Sequence, residues 1–158
     1  MTQQRMDLAA LTPRVYREMK RLEEAVATEL SEAGVEKEVY ELVKIRASQL
    51  NGCGFCLDMH LEDARKSGVD EQRLDVLAAW REMELYSERE RAALALSEEV
   101  TLIHGDGVSD ETWRRAGEVF SETELAGLVW AATTINTWNR LAITSRAQPP
   151  RRDSRPPE

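Results

Sequence analysis

The chain has 158 residues, of which 42% are apolar and 32% charged, and a formal net charge of −8. That is one domain's length with enough apolar content to bury a core, and it excludes a wholly disordered protein. The acidic balance argues against a general nucleic-acid binder, which needs a basic surface to neutralise phosphates.

Met1 to Arg14 holds no apolar run of signal-peptide length and carries Asp7 in its middle. The expected compartment is therefore the cytosol. Thr12-Pro13 reads as an N-cap with proline at the first helical position. The helix it opens runs to about Leu30, with Val15, Met19, Leu22, Val26 and Leu30 spaced by three and four, and Gly34 ends it. A second helix is predicted from about Glu36 to Leu50, followed by the turn signal Asn51-Gly52. A third begins near Cys53 and ends at Gly68. Asp70 caps a fourth, through Leu74, Leu77 and Ala78 to about Met83.

Ser87-Glu88-Arg89-Glu90 is a capping box that opens a helix to Ile103, stopped by Gly105. Ser109 caps a short helix to about Phe120. Ser121-Glu122-Thr123-Glu124 is a second capping box, opening a long helix to about Ser145. No stretch alternates apolar and polar residues with β-branched enrichment, so the expected fold is all-α.

The last helix is apolar around most of its circumference, with Leu128, Trp130, Ile135, Trp138 and Ile143 among its side chains. Such a helix is buried on all sides, either centrally or against a second subunit. Its two tryptophans favour a homo-oligomer that packs through this helix. Its uncharged run, Leu125 to Asn139, is fifteen residues and holds several Thr and Asn. A spanning helix needs ~20 mostly apolar residues, so no membrane segment is expected. Residues 1–147 are read as a single domain. Residues 148–158, QPPRRDSRPPE, hold four of the five prolines and no apolar side chain to bury, so a disordered tail is expected.

The chemistry is concentrated in Glu41 to His60, ELVKIRASQLNGCGFCLDMH. Cys53-Gly54-Phe55-Cys56 is a CxxC at the predicted start of a helix. Two thiols so spaced can close a disulfide, and helix-terminal amides favour a thiolate there. A low-pKa thiolate is the nucleophile of disulfide exchange and of peroxide reduction. His60 follows Cys56 by four residues, on the same helical face, and can take a thiol proton near pH 7. Glu41 shares a stripe with Ile45 and Ser48 on the preceding helix, which makes a half-buried carboxylate able to orient His60 or relay its proton.

Each residue also has a plainer reading. Cys53, Cys56 and His60 with one more ligand would make a zinc site, although the chain has no second cysteine pair. A helix histidine or glutamate is by default a solvated or hydrogen-bonded residue. His104, beside Gly105, reads as a helix C-terminal residue facing the dipole. A thioredoxin places its CxxC after a strand, and this sequence offers helix, turn, helix.

The run E-x(11)-C-x-x-C-x(3)-H, here Glu41, Cys53, Cys56 and His60, resembles the core of the alkylhydroperoxidase AhpD-like proteins within the carboxymuconolactone decarboxylase family. Ser48, Asn51-Gly52, Ala64, Gly68 and the stretch from Ile135 to Leu141 fit the same pattern. The resemblance covers roughly residues 15 to 145. It implies an all-helical, homo-oligomeric protein that reduces hydroperoxides with its two cysteines. Regeneration by a small dithiol or a lipoyl-type protein is implied too, and no metal or organic cofactor is called for. Carried over, Cys56 attacks the peroxide, Cys53 resolves the sulfenic acid, and His60 with Glu41 relays the proton. The helix terminus alone would favour Cys53 as the low-pKa thiol. The histidine favours Cys56, and a specific base outweighs a screened dipole effect of ~0.3–1 kcal/mol. The family's best-characterised branch has a histidine just before the second cysteine, where this chain has Phe55, so one proton-handling group is absent. The alternatives are a general thiol–disulfide oxidoreductase and a non-catalytic redox sensor whose cysteines switch the oligomer.

Overall fold

The computed structural model describes residues 3–151. All regular structure among them is helical: α1 (Leu8–Leu11), α2 (Pro13–Ala33), α3 (Lys37–Asn51), α4 (Gly54–Lys66), α5 (Glu71–Asp75), a 3₁₀ segment (Leu77–Glu82), α6 (Glu88–Thr101), α7 (Asp110–Val119) and α8 (Glu122–Ser145). None of the helices among the described residues is long and apolar enough to cross a membrane.

The helix starts follow from local side-chain chemistry. Ser87 and Ser121 each accept a backbone N–H three residues on, and Glu90 and Glu124 reach back to close both capping boxes. Ser109 caps α7 by accepting the Thr112 N–H, and Asp70 caps α5 by accepting the Gln72 N–H. Each such cap is worth about 1 kcal/mol.

Two expectations need correction. The N-terminal segment forms a short helix, α1, capped by Asp7. Thr12 consequently does not cap α2 with its side chain; its hydroxyl instead donates to the Leu8 carbonyl at 2.8 Å. The helix expected from Asp70 to about Met83 is two pieces, because the backbone leaves helical geometry at Val76 and Ala79. The bend lets Leu74, Leu77 and Trp80 all point into one apolar cluster beneath α4.

α3 runs through the middle of the bundle, packed on α4, α6 and α8, while α2 lies against α8. Val39 to Ile45, with Ala47 and Ser48, are all buried, so α3 is enclosed on nearly every side. That is a stronger burial than its stripe pattern suggests. Gly127 of α8 makes the α2 contact possible: a Cβ there would sit 2.7 Å from the Leu30 side chain. On α8 itself, Leu125, Leu128, Ala131, Ala132 and Ile135 are buried, but Trp130 is 54% and Ile143 45% exposed. Beyond α8, residues 148–151 carry no regular structure, and the rest of the tail expected to be disordered lies outside the described residues.

Candidate active site

The junction of α3, α4 and α8 holds the two thiols. α3 ends at Gly52, whose φ of 68° is the left-handed conformation that glycine adopts without strain. The chain turns there and delivers Cys53 as the N-cap of α4, with Cys56 one turn in. Both cysteines are free and buried, each 1% exposed. They pack with Ala47, Ile135, Phe55, Trp138 and Ala142.

The Cys53 sulfur accepts the Cys56 backbone N–H at 3.4 Å. The Cys56 thiol, together with the Cys56 and Phe55 amides and Asn139, draws the Cys53 pKa down to about 7 against the desolvation that opposes it. Cys56 is pushed well up, first because its thiol donates to Cys53 and then by burial. The pair therefore shares one proton near neutral pH, held by Cys56.

Cys56 also lines a cavity of about 440 Å³, walled by Phe55, Met59, Tyr16, Trp138 and the N-terminal residues Met6 and Leu8. Cys53 does not line it. Trp138 is held edge-on by Tyr16, with ring centroids 5.4 Å apart.

His60 lies one turn beyond Cys56 on α4 and is 2% exposed. Its Nδ1 stands 3.3 Å from Oε2 of Glu41 and 4.0 Å from Asp63. The angle to Glu41 is poor for a formed hydrogen bond, and Nε2 has no hydrogen-bond partner among the described residues, Cys56 included. Glu41 is 3% exposed, and so more deeply placed than the half-burial its stripe implies. Lys44 donates to its Oε1 at 2.8 Å. Desolvation raises the Glu41 pKa, but His60 and Lys44 outweigh it and hold the carboxyl below its ordinary range. A carboxylate so placed favours the tautomer with its proton on Nδ1. Glu41 further borders a second cavity, of about 390 Å³, between α2 and α3.

Among the described residues, Glu41, His60 and Asp63 bring three ligand-type atoms within 4.8 Å of one another; the cysteines are not part of that group. The sulfur-based zinc set considered from sequence is thus not assembled. His104 lies past α6, its Nδ1 on the Leu102 carbonyl, as its position beside Gly105 suggests.

Two contributors escape a reading of the sequence. Lys44 reads as an ordinary helix lysine, and its only signal is its spacing of three from Glu41. Asn139 is fully buried, donates to Ser48 Oγ at 3.0 Å and accepts from Asn51 Nδ2 at 2.8 Å. Its signal is an amide within an uncharged, mostly apolar helix.

The family model described as the carboxymuconolactone decarboxylase family matches residues 13–99. The uncharacterised protein YdfG of Bacillus subtilis is 47% identical over 112 residues, which is 71% of this chain and 76% of YdfG. The alkyl hydroperoxide reductase AhpD of Streptomyces griseus is 49% identical over 41 residues, spanning 26% of this chain and 23% of that protein. Among solved structures, a protein of unknown function from Agrobacterium tumefaciens, suggested to be the antioxidant defence protein AhpD, superposes with a TM-score of 0.89 at 35% identity; the match covers 95% of this chain and 100% of that one. The debrominase Bmp8 shares the fold, with a TM-score of 0.77 at 17% identity over 89% of this chain and 74% of Bmp8. By the family match over residues 13–99, more than half of its length, the chain belongs to the carboxymuconolactone decarboxylase family.

Proposed function

We propose that this protein is a dithiol-dependent hydroperoxide reductase of the AhpD type. The observation that carries the reading is the adjacent pair of free cysteines at the start of α4, with one of the two at the wall of a largely apolar cavity. Cys56 is the attacking residue because it, and not Cys53, lines that cavity. The Cys53 thiolate first takes the Cys56 proton along the hydrogen bond between the two sulfurs. The Cys56 thiolate then attacks the peroxide O–O bond, forming a sulfenic acid and releasing an alkoxide that leaves as the alcohol once protonated. Cys53 condenses with the sulfenic acid, which forms the disulfide and releases water. An external dithiol, free or on a lipoyl-type protein, reduces the disulfide and is itself oxidised.

Glu41 keeps His60 in the useful tautomer, and its second cavity offers protons a route to solvent. No step calls for a metal or an organic cofactor. The reading extends to a cytosolic homo-oligomer, supported by the exposed Trp130 on α8; sedimentation of the full chain tests that part.

The function is tested by peroxide consumption with a dithiol reductant. Wild type turns over, and Cys56→Ser does not. Turnover of a disulfide substrate without peroxide consumption would replace this reading with a general thiol–disulfide oxidoreductase.

A further inference from the structure

We propose that Asn139 of α8 is a thiolate-holding residue of the cysteine pair, its side-chain amide locked with the N–H edge toward the sulfurs. The lock follows from counting donors and acceptors. An asparagine amide has two N–H bonds and one carbonyl oxygen. Asn51 Nδ2 donates to Asn139 Oδ1 at 2.8 Å, so that edge must be the oxygen. Asn51 itself cannot reverse freely, because the same Nδ2 also donates to Asn136 Oδ1 at 2.8 Å. Asn136 is fixed in turn: its own Nδ2 donates to Thr101 Oγ1 and to the Ala132 carbonyl. Arg140 adds a further donor to Asn136 Oδ1 at 2.9 Å.

The nitrogen of Asn139 is therefore the edge that faces Ser48 of α3. One of its N–H bonds goes to Ser48 Oγ at 3.0 Å. Ser48 is oriented to accept, because its hydroxyl hydrogen is already given to the Lys44 carbonyl at 2.8 Å. Among the described residues, no oxygen or nitrogen acceptor takes the second N–H. Ile135 and Ala142, one turn to either side of Asn139 on α8, pack in the cluster that holds both cysteines, so the same helix face carries this N–H toward the pair; in keeping with that placement, Asn139 favours the ionised form of both Cys53 and Cys56. A neutral donor suits a pair that passes a negative charge from one sulfur to the other, since it serves whichever is ionised without trapping a proton. A lysine there would bind the charge more tightly and slow its release in attack.

The charged groups that line the cavity with Cys56 are Asp7, Lys20 and Glu23, from the N-terminal segment and α2; His60 on α4 and Glu41 on α3 are buried ionisable groups of the helices that meet at the thiols. They are untouched by substitutions at residue 139. The catalytic meaning of Asn139 rests on the hydroperoxide-reductase reading, whereas its effect on the thiols does not.

The experiment is a pH titration of thiolate absorbance and of iodoacetamide reactivity on the reduced, full-length protein without peroxide. Wild type is expected to ionise with a midpoint at about pH 7. Asn139→Leu, which keeps the volume and loses the donor, should lower the apparent acidity constant about tenfold. Asn51→Ala leaves the amide in place but frees its orientation, and should shift the midpoint in the same direction by less. An unchanged midpoint in either variant that still melts cooperatively would overturn the assignment and leave Asn139 a packing residue. Should Asn139→Leu fail to fold, Asn51→Ala decides alone. Peroxide turnover of the wild type is measured separately: its absence would remove the enzymatic reading but not the thiol shift, and its presence would not rescue an unmoved midpoint.

Discussion

Nδ1 of His60 stands 3.3 Å from Oε2 of Glu41, and both atoms are closed off from water. The other oxygen of that carboxylate is held by the buried ammonium of Lys44. The three side chains form a polar string inside the bundle that contains a carboxylate and an ammonium, and a buried charge without its partner is costly.

Glu41→Gln should therefore weaken both catalysis and stability. Loss of the group that orients the base should cut peroxide kcat/KM about a hundredfold. Stranding the Lys44 charge should cost about 3 kcal/mol of stability at pH 7. The folded carboxyl titrates below its unfolded value, so its contribution is full above about pH 4 and is lost as pH falls through the lower, folded pKa. Denaturant melts of wild type and variant should thus differ at pH 7 and converge in acid.

The two thiols should titrate as a pair. Cys56 is held protonated chiefly because it donates to Cys53, so Cys53→Ser should bring the Cys56 pKa back down toward the ordinary thiol range. Thiolate absorbance against pH checks this. In wild type the first ionisation falls at about pH 7, and in Cys53→Ser the remaining thiol ionises well above that but within reach of titration.

Trp138 walls the cavity against Tyr16. Trp138→Ala should raise KM for a bulky organic hydroperoxide about tenfold, the usual worth of one lost apolar contact, and leave that for hydrogen peroxide little changed. Steady-state kinetics with the two oxidants decide it.

A control lies on the far side of α3. Glu98 accepts from Arg46 at 2.7 Å and from Trp80 Nε1 at 2.8 Å, and also pairs with Arg81. Glu98→Ala leaves Arg46 unpaired in a largely buried position and should cost about 3 kcal/mol in denaturant melts. The thiol titration should not move.

The sequence makes the helix starts plain because caps are local chemistry: Ser87, Ser109 and Ser121 announce α6, α7 and α8 within a few residues. The cysteine pair is legible as a CxxC at a helix start, and Glu41 meets His60 because α3 and α4 pack side by side. What stays hidden depends on a third helix. Asn139 matters only because α8 lies across the α3–α4 turn, and nothing within its own helix marks which way its amide points. The break at Ala79 is likewise tertiary, since an alanine gives no local reason to leave a helix and the bend is set by where Leu77 and Trp80 must pack. The helix dipole and the histidine argue for different sulfurs as the lower-pKa thiol. The pair resolves this by ionising Cys53 while presenting Cys56 to the cavity.

The central claim is that Cys56 meets the oxidant. Reduced Cys53→Ser protein treated with one equivalent of an organic hydroperoxide and a sulfenic-acid trap, then digested for mass spectrometry, tests it most directly. The account predicts the trapped adduct on the Cys56 peptide, and a simple intramolecular disulfide in wild type treated alike. An unmodified Cys56, with the adduct appearing instead on Cys53 in the reciprocal Cys56→Ser variant, would contradict it.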